Sequence, residues 1–191
     1  MRRALAIAIS VLAGSAFTVS MWAQQATNKT EPPKPVPSPS QAVLAQWNEI
    51  GRKLIAIAED LPEGKYDYKP HPDSRTFVAQ LLHVSASMYY FTDVVQGKQP
   101  RYGDDPKRDQ LKSKAQVVAF VKKCVEDGAD LIKAKGDAGM AAVIQYPGTN
   151  SQHRVSEIAY DTIEHSGEHY GQLVVYYRIN GLVPPESRPK K

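Results

Sequence analysis

The chain has 191 residues, 42% of them hydrophobic and 23% charged, with a formal net charge of +4 at pH 7. That length suits one packed domain with additions at its ends. The positive balance is too mild to build a nucleic-acid-binding surface on charge, so no nucleic-acid partner is expected.

Met1, Arg2 and Arg3 open the chain, the apolar run ALAIAISVLAGSAF follows, and small and polar residues lead to Ala23. This is the layout of a secretory signal peptide over residues 1–23, with an uncleaved anchor as the alternative. The expected location is exported, periplasmic or secreted from a bacterium, with no membrane contact beyond this segment. Residues 24–40, QQATNKTEPPKPVPSPS, are polar and proline-rich. Such a stretch favours extended chain and buries no core, and it reads as a disordered linker. The folded domain is expected over residues 41–187, with Ser40 as the first N-cap.

Four helical stretches follow. In residues 41–60 an apolar stripe runs through Val43, Leu44, Trp47, Ile50, Leu54, Ile57 and Ala58 and stops before Pro62 and Gly64. A loop dense in Pro, Asp and Gly leads to a second helix, starting near Ser74 and ending at Gly97. There Phe77, Leu81, Val84, Met88, Phe91 and Val95 recur at spacings of four and three, a core seam. The third helix is expected over 110–134, with Leu111, Ala115, Val118, Val121, Val125, Ala129 and Ile132 inward. Cys124, the only cysteine, cannot form an intrachain disulfide and reads as a small buried hydrophobe. A long mixed connection holds VIQY, a short strand or simply extended chain. The fourth helix runs from about Val155 to Asn180, with Gly181 where a left-handed cap belongs. No segment alternates with period two for long. The expectation is an all-α, antiparallel four-helix bundle, with connections long enough for a crossover.

The chemistry lies in the histidines. At 100° per residue, Val155, Ile158, Ala159, Thr162, His169, Leu173, Tyr176 and Tyr177 share one face of the fourth helix, with His165 at its edge. Glu157, Asp161, Glu164 and Glu168 fall towards the other. His165 and His169 stand one turn apart, close enough to hold one ion, although hydrogen bonding within the core satisfies such a pair equally well. His83, flanked by Ser87 and Tyr90 on the second helix, is the best third candidate. His71, between two prolines, and His153, ahead of the fourth helix, read as surface or rim residues. Tyr170 and Tyr176 are placed to line a pocket. The run HSGEH also fits H-x-x-E-H, a zinc-peptidase pattern. That chemistry needs a further acidic ligand well downstream, where this sequence offers a helix end and a proline-rich tail. Phosphate-binding glycine loops, nucleophile elbows and C-x-x-C are absent.

The pieces LPEGKYDYKPHPDSRTF, QLLHVSASMYYF and EHSGEHYGQLVVYYRINGLVPPES, in this order, resemble the DinB-like superfamily of four-helix-bundle proteins. The resemblance implies a divalent metal, nickel or zinc most often, held by one histidine of the second helix and two of the fourth. These correspond to His83, His165 and His169. Three histidines leave coordination positions for water or substrate, as in catalytic sites. The resemblance also implies a metal-dependent transferase or isomerase of the thiol-dependent type, acting on a small molecule; hydrolysis by a metal-bound hydroxide is a chemical alternative. Glu168 and Tyr170 are candidate acid–base groups without a family role behind them. The competing readings are an exported, non-enzymatic metal- or ligand-binding bundle and a structural bundle with hydrogen-bonded histidines. A homodimer is compatible with all of them.

Overall fold

In the computed structural model of the protein, residues 33–189 are described, and the segment read as a signal peptide lies outside them. Four helices make up most of the described chain: α1 (Pro39–Asp60), α2 (Phe77–Val95), α3 (Lys114–Ala141) and α4 (Val155–Ile179). A short antiparallel hairpin, β1 (Val143–Gln145) and β2 (Gln152–Arg154), joins α3 to α4, and it pairs Ile144 with His153. VIQY is thus a strand and its turn. No helix among the described residues is long and apolar enough to cross a membrane.

Side-chain acceptors meet backbone N–H groups at the start of each helix. Helix α1 begins at Pro39, inside the stretch read as linker, and its N-cap is Ser38, not the expected Ser40. The Ser40 N–H and the Ser38 hydroxyl both donate to Asp137, each at 2.8 Å, placing a carboxylate on the positive helix end. Thr76 caps α2, two residues after the expected start, by accepting from the Ala79 N–H at 3.2 Å. Ser113 and Gln116 form a reciprocal capping box on α3. At α4, Glu157 accepts from the Arg154 N–H at 3.0 Å. Gly181, at φ +69°, ends that helix as expected, and the Leu182 N–H returns to the Tyr177 carbonyl at 3.0 Å.

The helices pack in the cyclic order α1–α3–α2–α4. Helices consecutive in sequence at each end, α1 with α2 and α3 with α4, therefore stand mostly across the bundle, and the long connections make the crossovers. Helix α2 is buried nearly all round, including every residue of the expected seam. Helix α4 buries the expected face together with Ser166, and all four of its named acids are exposed.

Helix α3 differs from expectation at both ends. It starts at Lys114 and continues to Ala141 past a kink at Gly136, whose φ is +55°. Ala115 is exposed and Leu111 precedes the helix, while the inward face runs through Val117, Val121, Cys124, Val125 and Gly128. Small residues carry this face because α1 comes close. A β-carbon on Gly128 would stand 1.9 Å from Trp47, and one on Gly51 would stand 2.3 Å from Val125. The indole N–H of Trp47 donates to the Val125 carbonyl at 2.9 Å, and its ring packs on Phe91 at 5.0 Å. Cys124 is fully buried, and burial pushes its thiol up, far from thiolate chemistry.

An ion pair with a buried carboxylate ties the loop after α2 to the core. Asp93, 2% exposed, accepts from the backbone and the side chain of Arg101, both at 2.9 Å. The Arg101 guanidinium lies 4.0 Å from the centroid of the Tyr89 ring. Burial alone would raise the Asp93 carboxyl, but the bonds from Arg101 outweigh it and hold the group below its ordinary value of 3.8. The stabilisation is present above that value and lost as the pH falls through the lower, folded one. Arg101→Ala is expected to cost about 2 kcal/mol at neutral pH. Without its partner the buried carboxyl titrates upward, so the gap to the parent protein should close on acidification, as read from urea midpoints at pH 7 and pH 3.

Candidate metal centre

Helices α2 and α4 pack side by side and bring three histidines together. The rings of His83, His165 and His169 have centroid separations of 5.4, 4.7 and 4.3 Å, all edge to face. One nitrogen from each lies within 4.8 Å of the other two. Nitrogens bound to one ion at about 2.1 Å stand up to about 4 Å apart, so small side-chain rotations close the site. His169 is buried, and His83 and His165 are partly open.

Each ring also has an outward partner. His83 Nδ1 lies 2.9 Å from both oxygens of Asp105, and Arg75 approaches the same carboxylate at 3.6 Å. With its Nδ1–H donated to Asp105, His83 keeps Nε2 free. His169 Nδ1 lies 3.0 Å from Gln172 Oε1 and also contacts the buried Gln80 amide nitrogen, which donates to Gln172. His165 Nε2 stands 3.1 Å from the Ser87 hydroxyl, which itself donates to the His83 carbonyl at 3.1 Å. Since that hydroxyl gives its proton to the carbonyl, it accepts from His165 Nε2. Rings held by one nitrogen and free at the other are oriented as metal ligands require.

Burial, then the neighbouring histidines, lowers the pKa of His165. Burial lowers that of His169 too, against the Gln172 bond and alongside His83. Both rings are therefore held neutral, the form that binds a metal. The donor set fits a divalent ion of zinc or nickel type, for which imidazole is a good ligand.

His71 is exposed, with the Asp73 N–H donating to its Nδ1 at 3.2 Å, and His153 sits edge-on to Tyr146 in the hairpin. Neither joins the cluster. Glu168 is exposed. Tyr170 has Glu186, Arg52 and Glu49 as charged neighbours and belongs to a different side of α4 from the histidines. Tyr176 lies as expected near the site: its hydroxyl donates to the Arg75 carbonyl at 2.6 Å, and it lines a cavity with Gln80 and Gln172. Asp105, Gln80 and Gln172 are the residues sequence reasoning missed. Gln172 follows His169 by three, a spacing that sets both on one helix face and was a usable signal. Asp105 lies in an irregular loop and carried none.

A second cavity, of about 340 Å³, opens beside His165. Ala86, Ser87 and Tyr90 of α2 and Ile158, Asp161 and Thr162 of α4 form two walls, closed by loop residues Tyr102–Asp105 and by Tyr146 of the hairpin.

The fold and site define the class: a four-helix bundle whose three clustered histidines could hold a metal ion, with a cavity beside His165. The chain belongs to the DinB superfamily, whose family model matches residues 46–173. No curated protein matches it in sequence. Among solved structures it is similar to a DinB-like protein from Bacillus cereus ATCC 10987, with a TM-score of 0.64 and 15% identity over 76% of this chain and 95% of that one. The DinB-like protein YjoA from Bacillus subtilis gives 0.60 and 18% over 78% and 99%. YfiT from Bacillus subtilis, described as a probable metal-dependent hydrolase with an unusual four-helix bundle topology, gives 0.59 and 15% over 80% and 94%. At these identities the likeness is one of fold.

Asp105→Asn is expected to weaken zinc binding by about 10- to 100-fold, because His83 loses the carboxylate that orients its ring. Competition against a chromogenic chelator measures this directly. An unchanged affinity would remove Asp105 from the site.

Proposed function

We propose that the protein is a metal-dependent hydrolase acting on a small molecule, with His83, His165 and His169 as the ligands of a zinc or nickel ion. The observation that carries this reading is the set of outward partners. One ring nitrogen of each histidine comes within 4.8 Å of the other two, while Asp105, Ser87 and Gln172 hold the rings by hydrogen bonds. Histidines serving only as core hydrogen-bonding groups have no need of that convergence.

When bound, the ion supplies Lewis acidity and an acidified water. The protein's own groups then have separable tasks. Asp105, held by Arg75, keeps the His83 proton on Nδ1. Ser87 ties His165 to the backbone of α2. The cavity beside His165 receives the substrate, and its apolar wall residues Ala86 and Ile158 limit water around the bond to be cleaved. The comparison with YfiT favours hydrolysis over thiol transfer. Export of the mature domain, read from residues 1–23, belongs to the same proposal, since low-molecular-weight thiols are mostly intracellular.

The test is a panel of ester, amide and phosphoester substrates assayed with zinc, with nickel and with chelator, alongside the same panel of electrophiles with added thiols. Metal-dependent turnover without thiol, lost in His83→Ala, is the expected result. Turnover only with thiol identifies a transferase. No turnover in a metal-loaded protein favours the non-enzymatic binding module.

A further inference from the structure

We propose that the cavity beside His165 selects a small organic cation, an amine or ammonium carried on a compact apolar body. This deepens the hydrolase reading and rests on it for the reaction, naming the class of substrate that the same site takes. Three tyrosines, Tyr90, Tyr102 and Tyr146, contribute to its walls, from α2, the following loop and the hairpin. The rings of Tyr90 and Tyr146 pack on each other at the cavity wall, 6.1 Å apart at 44°. Aromatic faces attract cations through the ring quadrupole, most strongly where water is displaced. Burial, then a hydrogen bond with Tyr90, pushes the Tyr146 hydroxyl up to about 12, so its ring stays a neutral phenol.

The charge of the lining has one sign. Asp104, Asp105 and Asp161 border the cavity, and no Lys or Arg does. Asp105 is already committed to His83 and Arg75. Among the described residues no Lys or Arg comes within ion-pair distance of Asp104, on the loop that closes the cavity, or of Asp161, on its α4 wall. A cation placed between them gains both carboxylates and the tyrosine faces, whereas an anion would meet like charge on each side. The volume of about 340 Å³ accommodates a single-ring body. The neighbouring cavity on the Gln80 side has Arg75 in its lining but none of the three histidines, so it offers no competing position beside the metal centre.

The experiment titrates benzylammonium, benzyl alcohol and benzoate into the protein by calorimetry at low ionic strength, once with chelator and once with zinc. Zinc uptake is measured separately. Benzylammonium is expected to bind about tenfold more tightly than benzyl alcohol, with benzoate weaker than both. In the double variant Asp104→Asn, Asp161→Asn the cation should fall to within about twofold of the alcohol while zinc uptake is unchanged. Equal binding of cation and alcohol, or preference for benzoate, overturns the proposal even in a protein that takes up zinc. Cation preference in a protein that takes up no zinc supports the cavity assignment and removes the hydrolase reading alone.

Discussion

Dialysed against zinc and then freed of excess, the purified protein is expected to hold about one ion per chain, and His165→Ala with His169→Ala to hold none. This is the largest functional effect the structure predicts, because removing two of three ligands leaves His83 alone. The ion should also stabilise the fold, since all its ligands are assembled only when α2 and α4 are packed. At a free concentration one hundred times Kd, binding contributes about 2.7 kcal/mol, which appears as a rise in Tm reversed by chelator. The double variant should show no such rise, and a Tm indifferent to chelator in the parent protein would sink the metal reading. The sign of the pH dependence follows from the rings themselves. Burial depresses His165 and His169 below the ordinary 6.5, so they stay neutral and competent to lower pH than free imidazoles. Metal should be retained at pH 6.5 and released as the pH falls through the lower values, where protons compete for the same nitrogens.

The largest effect on stability is expected at the contact of α1 with α3. Trp47 is fully buried, fills the space above Gly128 and donates its N–H to Val125. Trp47→Ala should cost about 3–5 kcal/mol, through lost burial and an unfilled cavity. Gly128→Ala is the more discriminating substitution. In an isolated helix it would be favourable, since alanine has the higher helix propensity, by about 1 kcal/mol. Here the added β-carbon meets the indole at 1.9 Å, against ring atoms that have no rotamer to escape into. A net loss of about 1–3 kcal/mol is expected from overpacking, read as a lower urea midpoint. A neutral or stabilising Gly128→Ala would show that α1 and α3 do not approach this closely.

Much of this protein was legible before its structure was. Four amphipathic segments, the inward face of α4 and the seam of α2 follow from a 3.6-residue period and from where apolar side chains fall on it. The pairing of His165 with His169 is equally local, one turn on one helix, and family resemblance joined His83 to them. The inward face of α3 was read only in part: Val121, Val125, Ala129 and Ile132 are buried as expected, but the close contact with Trp47 of α1 is made by Gly128. A glycine leaves no hydrophobic signature, and only the bulk of Trp47 on the opposing helix explains it. Helix starts were off by a few residues wherever several Ser, Thr or Asp competed for the cap, since each satisfies the same free N–H groups.

What tertiary structure alone decided was which distant residues meet. The order α1–α3–α2–α4 comes from long connections whose length permits several routes. It sets α2 against α4 and so brings His83 together with His165, 82 residues further along the chain. It also carries the loop holding Asp105 back over His83, and it sets Tyr102 and Tyr146 around a cavity that no sequence spacing reveals. Periodicity reports the surroundings of a residue within its own helix, through hydrogen bonds and side chains a turn away. The orientation of a ligand nitrogen, and the sign of charge facing a substrate, depend on groups brought in by packing, and only the folded chain determines them.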